Sequence, residues 1–370
     1  MLEAIAQARE SIDLEIYIFA DDRIGRQFLQ ALIRSAEAGV RVRVQADAYG
    51  SLTLPQAFFD PLIPAGAEVH FFNPLRFNRF GVRDHRKLLV CDRQIAFIGG
   101  ANLSESYHGD GIHQGWFDLM LKIQNADLAA RLAEEFERVF MLTQLELRRL
   151  RKLRAFRRIQ RRPPEAARVL SVRPGRGIGN FQRFLQHALR RARSVDLITP
   201  YFLPGRRLRK LLRLVVRRGG RVRLILPAHC DVPIAQAAGR IYYPRLLRAG
   251  VEIYEYQPQI LHAKLCLVDQ KVFAGSSNLD IRSFKLNYEL MLRFSDRTTM
   301  NGAREIFSAA LEQSRRIELK TFRHSQNFWA RWKNRWSHFL IARIDPFVAL
   351  RQMDALPEPP VSRSVAPGGD

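Results

Sequence analysis

The strongest constraint on this chain is that it says the same thing twice. The first half opens with a helical pattern (Leu2, Ile5, Ala6), then alternates through Ile12, Leu14, Ile16 and Ile18, the signature of a half-buried strand. A helix is expected around Arg26 to Ala38, a stop at Gly39, and a strand through Val40, Val42 and Val44. The second half repeats the order. A helix is expected from Phe181 to Arg193, a strand from Val195 to Thr199, and a helix from Arg206 to Arg217. A stop follows at Gly219-Gly220, then a strand through Val222, Leu224 and Leu226. The fragments AGVRVRVQAD and GGRVRLILPA read as copies of one another. Strands alternating with helices predict an α/β lobe, present twice.

A second repeat carries chemistry. The first half contains His85-Arg-Lys87 with Asp92 five residues after the lysine, then Gly99-Gly100-Ala-Asn102. The second contains His262-Ala-Lys264 with Asp269, then Gly275-Ser276-Ser-Asn278. Each is HxKxxxxD followed by a glycine turn and an asparagine. In an extended chain, residues two apart share a face, so one phosphate can touch both the imidazole and the ammonium. The apolar residues that follow (Leu88, Leu89, Val90; Leu265, Cys266, Leu267) anchor each motif in a core. Glycine at the turn lets the backbone and the asparagine amide approach a phosphate oxygen. A single HxK is weak; two complete copies at matching places in a duplicated lobe are not chance.

Composition narrows the partner. Of 370 residues, 60 are Lys or Arg and 36 are Asp or Glu, a formal charge of +24. That favours a polyanion: nucleic acid, an anionic lipid surface or a phosphorylated substrate. Cys91, Cys230 and Cys266 are too few and scattered for a disulfide framework or zinc site, and no metal or other cofactor is expected. No run of about 18 apolar residues exists, so no membrane-spanning helix is expected. The stretch Arg148 to Arg162 holds nine basic residues and no acid. It reads as a solvated linker helix or as a patch that meets anionic head groups. Near the end, Trp329, Trp332 and Trp336, followed by Phe339 or Leu340, fall on one helical face with Arg331, Lys333 and Arg335 between them. This face either packs on the lobes or lies on an anionic membrane. The resulting division is a first lobe at 1–147, a basic linker at 148–168, a second lobe at 169–315, a Trp-rich helical segment at 316–355 and a disordered tail at 356–370.

The paired motif resembles the HKD signature of the phospholipase D superfamily. Within it, LEIYIFADDRIG, TPYFLPG and SSNLDIRSFKLNYEL are similar to the bacterial cardiolipin synthases. The resemblance covers roughly residues 1–315. It implies two lobes, each a mixed β-sheet flanked by helices, packed as a pseudo-dimer with both motifs facing one shared cleft. It also implies phosphatidyl transfer, with phosphatidylglycerol and an anionic membrane surface as partners and a peripheral place on the cytoplasmic side of a bacterial membrane.

By analogy with the family, His85 is the nucleophile and His262 the acid/base. Lys87, Lys264, Asn102 and Asn278 hold the non-bridging oxygens, and Asp92 and Asp269 support the motif. The resemblance also pairs Asp118 with His85 and Glu289 with His262. The same motif serves hydrolytic phospholipases and DNA phosphodiesterases. The charge suits DNA, but the cardiolipin-synthase-like stretches and the tryptophan face count against nucleic acid. One departure is Gly100 in the first motif, where the second has Ser276.

Overall fold

The computed structural model describes residues 1–74, 81–144, 167–175, 178–325 and 328–340. The run Arg148–Arg162 and the tail at 356–370 lie outside the described residues.

The first lobe runs α1 (Leu2–Gln7), β1 (Ser11–Ile16), α2 (Arg23–Glu37), β2 (Arg41–Asp47), β3 (Glu68–Phe72), β4 (Leu88–Cys91), β5 (Ile95–Gly99), β6 (Met120–Ile123) and α3 (Ala126–Gln144). The second opens with β7 (Ala167–Val172), α4 (Asn180–Leu189), β8 (Ser194–Ile198), α5 (Arg206–Arg217), β9 (Arg221–Pro227), α6 (Pro233–Arg240) and α7 (Tyr243–Arg248). It continues through β10 (Glu252–Tyr256), β11 (Leu265–Val268), β12 (Lys271–Gly275), α8 (Ile281–Lys285), β13 (Glu289–Phe294), α9 (Arg297–Glu312) and β14 (Ser314–Arg316). Two helices follow, α10 (Leu319–Ser325) and α11 (Phe328–Phe339).

Both sheets are mixed and share one frame. The order β3-β2-β1-β4-β5-β6 recurs as β10-β9-β8-β11-β12-β13, with β14 and β7 added at the edges. In each lobe three parallel strands adjoin an antiparallel run that begins with the motif strand. The helix before each second parallel strand ends at a glycine with positive φ, Gly39 (+85°) and Gly219 (+81°). Glycine adopts this conformation without steric cost, and the turn directs the chain back into the sheet.

The motif strands explain the continuous apolar runs. In β4, Leu89 and Cys91 join the core under α1 and α2, whereas Leu88 and Val90 point the other way, into a core shared with the second lobe. In β11, Cys266 and Val268 pack beneath α4 and α5 while Leu265 and Leu267 meet Leu88 and Val90 in the shared core. A strand buried on both faces has no polar side to show in its sequence. Truncating one of these leucines to alanine costs about 2–5 kcal/mol.

The expectation of a half-buried β1 is corrected. All six of its residues are buried. The second face is covered by α3, so the alternating acids Asp13 and Glu15 are paired rather than solvated. Arg43 bridges Asp13 (2.8 Å) and Glu137 of α3 (2.6 Å). Arg86, fully buried, donates to Glu15 at 2.5 and 2.8 Å and to the Glu135 carbonyl at 3.0 Å. The corresponding motif position in the second lobe is Ala263.

Candidate active site

Each motif histidine stands at the entry to a buried strand, and the segment before it pairs with the other lobe. Asp84 bridges Tyr288, and Leu261 bridges Phe117. The His85 N–H donates to the Tyr288 carbonyl at 3.0 Å, and the His262 N–H to the Phe117 carbonyl at 2.8 Å. Tyr288 and Phe117 immediately precede Glu289 and Asp118. The bridges therefore carry each carboxylate across the lobe interface to the opposite histidine.

This overturns the within-lobe pairing expected from the resemblance. His85 Nδ1 contacts Glu289 at 3.0 Å (Oε1) and 3.1 Å (Oε2), and His262 Nδ1 contacts Asp118 Oδ2 at 2.6 Å. Within its own lobe, Asp118 lies against Gly100. A Cβ added at Gly100 would sit 2.2 Å from Asp118 Oδ1, so this position has no room for the serine found in the second motif. There, Ser276 Oγ donates to Glu289 Oε2 at 2.6 Å. The two lobes thus pair Gly with Asp and Ser with Glu at equivalent places.

Both histidines face a single cavity of about 430 Å³, together with Asn102, Asn278, Tyr17, Tyr107, Trp116 and Tyr201. Lys87 and Lys264 are buried behind it. Lys87 Nζ donates to the His85 carbonyl at 2.7 Å and stands 4.9 Å from the Tyr17 ring centroid. Lys264 Nζ donates to the His262 carbonyl and lies 3.8 Å from Asp118 Oδ2. Asn102 accepts from the Ile18 N–H (3.1 Å) and donates to the Tyr107 hydroxyl (2.7 Å). The Asn278 side-chain oxygen is buried without a hydrogen-bond partner among the described residues.

Asp92 and Asp269, counted with the motif, do not line the cavity. They sit at the far ends of β4 and β11 with left-handed φ (52° and 50°). Asp92 accepts from the backbone of Arg9, Glu10 and Ser11, and Asp269 from that of Arg193 and Ser194. Each ties its motif strand to the start of the neighbouring parallel strand.

Comparison with known proteins decides the family. The chain matches the family described as "Cardiolipin synthase, PLD-like domain" over residues 1–140 and 184–311. It belongs to that family. It is 36% identical over 323 residues to cardiolipin synthase A of Pseudomonas putida (strain W619), covering 85% of this chain and 66% of that protein. It is 35% identical over 307 residues to cardiolipin synthase B of Salmonella typhi, covering 80% and 74%. The chain thus spans about two thirds to three quarters of these relatives' lengths. The fold matches the crystal structure of phosphatidylserine synthase from Haemophilus influenzae Rd KW20, with a TM-score of 0.73 at 16% identity over 94% of this chain and 92% of that one. It also matches polyphosphate kinase from Porphyromonas gingivalis, with a TM-score of 0.55 at 16% identity over 86% and 46%.

For this cardiolipin synthase family member, electrostatics separate the two histidines. Burial, then the charges of Lys87 and Lys264, push the His85 imidazole well below its ordinary value. Its partner Glu289 is pushed up to about 7 by burial, which outweighs the opposing pull of Lys87. Lys87 itself is lowered to about 7 by burial. His262 is lowered by burial and by Lys264, but Asp118 pulls the other way. Burial also acts to raise Asp118, yet Lys264 and His262 outweigh it and hold the carboxylate below its usual range. His262 is therefore backed by a firmly ionised acid and His85 is not.

Sequence reasoning missed the aromatic wall. Tyr107 and Trp116 approach the His262 ring at 5.4 and 5.5 Å between centroids, Tyr201 at 6.4 Å, and Tyr17 approaches His85 at 4.8 Å. Only Tyr17 and Tyr201 carried a signal, through their places in LEIYIFADDRIG and TPYFLPG.

The tryptophan face lies on the outside of helix α11. Helix α11 packs on α6, with Ser337 buried and the Tyr242 hydroxyl 2.5 Å from His338 Nε2. Trp329, Trp332 and Trp336 point away from this contact and are 70%, 49% and 49% exposed. No helix among the described residues is long and apolar enough to cross a membrane.

Proposed function

We propose that the chain is a phosphatidyltransferase that joins two phosphatidylglycerols into cardiolipin and releases glycerol. The observation that carries this reading is the pair of buried imidazoles facing one cavity, each with Nδ1 held by a carboxylate from the opposite lobe. With Nδ1 occupied, each ring presents Nε2 for chemistry.

His85, held neutral, attacks phosphorus through Nε2. The bond from phosphorus to the glycerol oxygen breaks, and that oxygen takes its proton from His262. The phosphatidyl group is left on His85. The hydroxyl of a second phosphatidylglycerol then attacks phosphorus, passing its proton to His262, and the P–N bond breaks. His262 suits both proton transfers because ionised Asp118 stabilises its imidazolium form. Lys87 and Lys264, with Asn102 and Asn278, stabilise charge on the non-bridging oxygens. Water in place of the second alcohol gives hydrolysis to phosphatidic acid.

The substrate resides in a bilayer, and the mouth of the cavity is suited to reach one. Val232 and Ala235 line the cavity, and exposed Val232 and Ile234 stand where α6 begins. Helix α11, with its tryptophans outward and Lys333 and Arg335 exposed, packs on that same α6. Aromatic residues interleaved with cations favour the interface of an anionic membrane.

The test is incubation of the pure protein with phosphatidylglycerol vesicles and mass spectrometry of the lipids. Cardiolipin and free glycerol are expected from the wild type, and neither from His85→Ala or His262→Ala. Phosphatidic acid without cardiolipin would make the protein a hydrolase. Normal turnover by either variant would overturn the shared-site mechanism.

A further inference from the structure

The duplicated frame exposes a feature that one lobe has and the other lacks. Phe19 bridges Leu103 in the first lobe as Phe202 bridges Leu279 in the second. The preceding positions are therefore equivalent, and they hold Ile18 and Tyr201, both lining the cavity. The Tyr201 hydroxyl donates to Asp231 Oδ2 at 2.6 Å. Asp231 lies in the loop between β9 and α6 and is an exposed carboxylate on the cavity wall. Its other oxygen, Oδ1, has the Cys230 thiol at 3.5 Å, a weak donor.

Phosphoryl transfer uses the elements that both lobes share: His, Lys, Asn and the crossed carboxylates. The Tyr201–Asp231 pair is outside that set, yet it adjoins His262, where an alcohol must leave and another enter. It also lies close enough for its charge to raise the affinity of His262 and Lys264 for protons. An ionised carboxylate only accepts hydrogen bonds. With Tyr201 on Oδ2 and only the weak Cys230 thiol on Oδ1, Asp231 can accept a further donor on this wall.

We propose that Tyr201 and Asp231 form the subsite for the alcohol exchanged at His262, and that they select a polyhydric, glycerol-like alcohol by binding a second hydroxyl beside the reacting one. This rests on the transferase reading above. A monohydric alcohol leaves the carboxylate without that donor, and sites built to bind a hydroxyl discriminate strongly against ligands lacking it. An ammonium group would match Asp231 but would stand beside Lys264 and the positive charge that forms on His262 as the incoming hydroxyl gives up its proton. A neutral hydroxyl incurs no such repulsion.

The experiment supplies phosphatidylglycerol vesicles with equimolar deuterated glycerol, 1-propanol and ethanolamine, and reads the three exchanged lipids by mass spectrometry. The wild type is expected to favour glycerol. Asp231→Ala should lower the glycerol-to-propanol ratio about tenfold or more, the loss of one hydrogen bond to a charged group. Tyr201→Phe should lower it less. Because all products come from the same molecules, the ratio does not depend on how much of a variant is folded. An unchanged ratio in both variants overturns the subsite. Wild-type preference for ethanolamine or for no alcohol overturns the polyol assignment. A wild type that exchanges nothing, and makes no cardiolipin, overturns the transferase reading instead.

Discussion

Replacing Asp118 with Asn tests the crossed geometry directly. Asp118 belongs to the first lobe, yet its carboxylate lies 2.6 Å from His262 Nδ1 of the second and is almost fully buried. A buried, charge-assisted bond of this kind is worth about 1.5–3 kcal/mol, and the asparagine amide would also favour the wrong imidazole tautomer. At about 1.4 kcal/mol per power of ten, the bond alone accounts for roughly 10- to 150-fold in rate. The tautomer effect brings the expected loss on phosphatidylglycerol to about 10²–10⁴-fold, the range of general acid catalysis. The loss should depend on the leaving group. A phosphodiester of p-nitrophenol needs no proton as it leaves, so the rapid-mixing burst of p-nitrophenol should stay within about tenfold of wild type. Glu289→Gln acts on the nucleophile, and should slow the burst and the natural reaction alike. If Asp118→Asn suppresses the burst as strongly as natural turnover while Glu289→Gln spares it, the histidine roles are reversed. If both variants behave as wild type on both substrates, the carboxylates do not support the histidines at all.

Gly100→Ala should cut turnover at least tenfold, because its Cβ would sit 2.2 Å from Asp118 Oδ1 and must displace it from His262; wild-type activity with an unchanged melting temperature would refute this. Glu289 titrates near 7 in the fold against an ordinary 4.5. Between those values the folded chain keeps a proton that the unfolded chain has released, so this residue's contribution to stability falls as pH rises from about 4.5 to 7. Glu289→Gln should remove that part of the slope of melting temperature against pH, and an identical slope would count against a buried, raised carboxyl. Replacing Trp329, Trp332 and Trp336 together with Ser should weaken sedimentation with anionic vesicles at high salt by about a hundredfold or more, since withdrawing about 110 Å² of apolar surface from water, at roughly 25 cal/mol for each Å², already supplies that factor. Unfolding of that variant, or undiminished binding, would show that the tryptophans serve the fold or that docking lies elsewhere.

Much of the site was legible in the linear sequence because its parts are local. The two HxK pairs, the glycine turns and the asparagines lie within short windows, and the duplication assigned them to equivalent places. Helix stops at Gly39 and Gly219 were readable for the same reason, since glycine is the residue that most readily takes the left-handed conformation at a helix end. The aromatic wall was not legible. Tyr17, Tyr201 and the Tyr107–Trp116 pair come from three separate segments, and nothing in the spacing of any one of them points toward a histidine.

The amino-acid sequence by itself determined that there would be two α/β lobes and two copies of one phosphate-suited motif, each with an imidazole. The tertiary structure decided which acid serves which histidine. The reading that kept Asp118 with His85 came from the family resemblance and placed each acid within its own lobe. The fold crosses them because Phe117 bridges Leu261 and Tyr288 bridges Asp84, so each carboxylate crosses to the other lobe with the strand residue before it. The same packing buried Asp13 and Glu15 of β1, whose alternation promised a wet face, by laying α3 over them and supplying Arg43 and Arg86 as partners. Periodicity records how a side chain points. What waits on the other side depends on residues far along the chain, and only the folded chain brings those into contact.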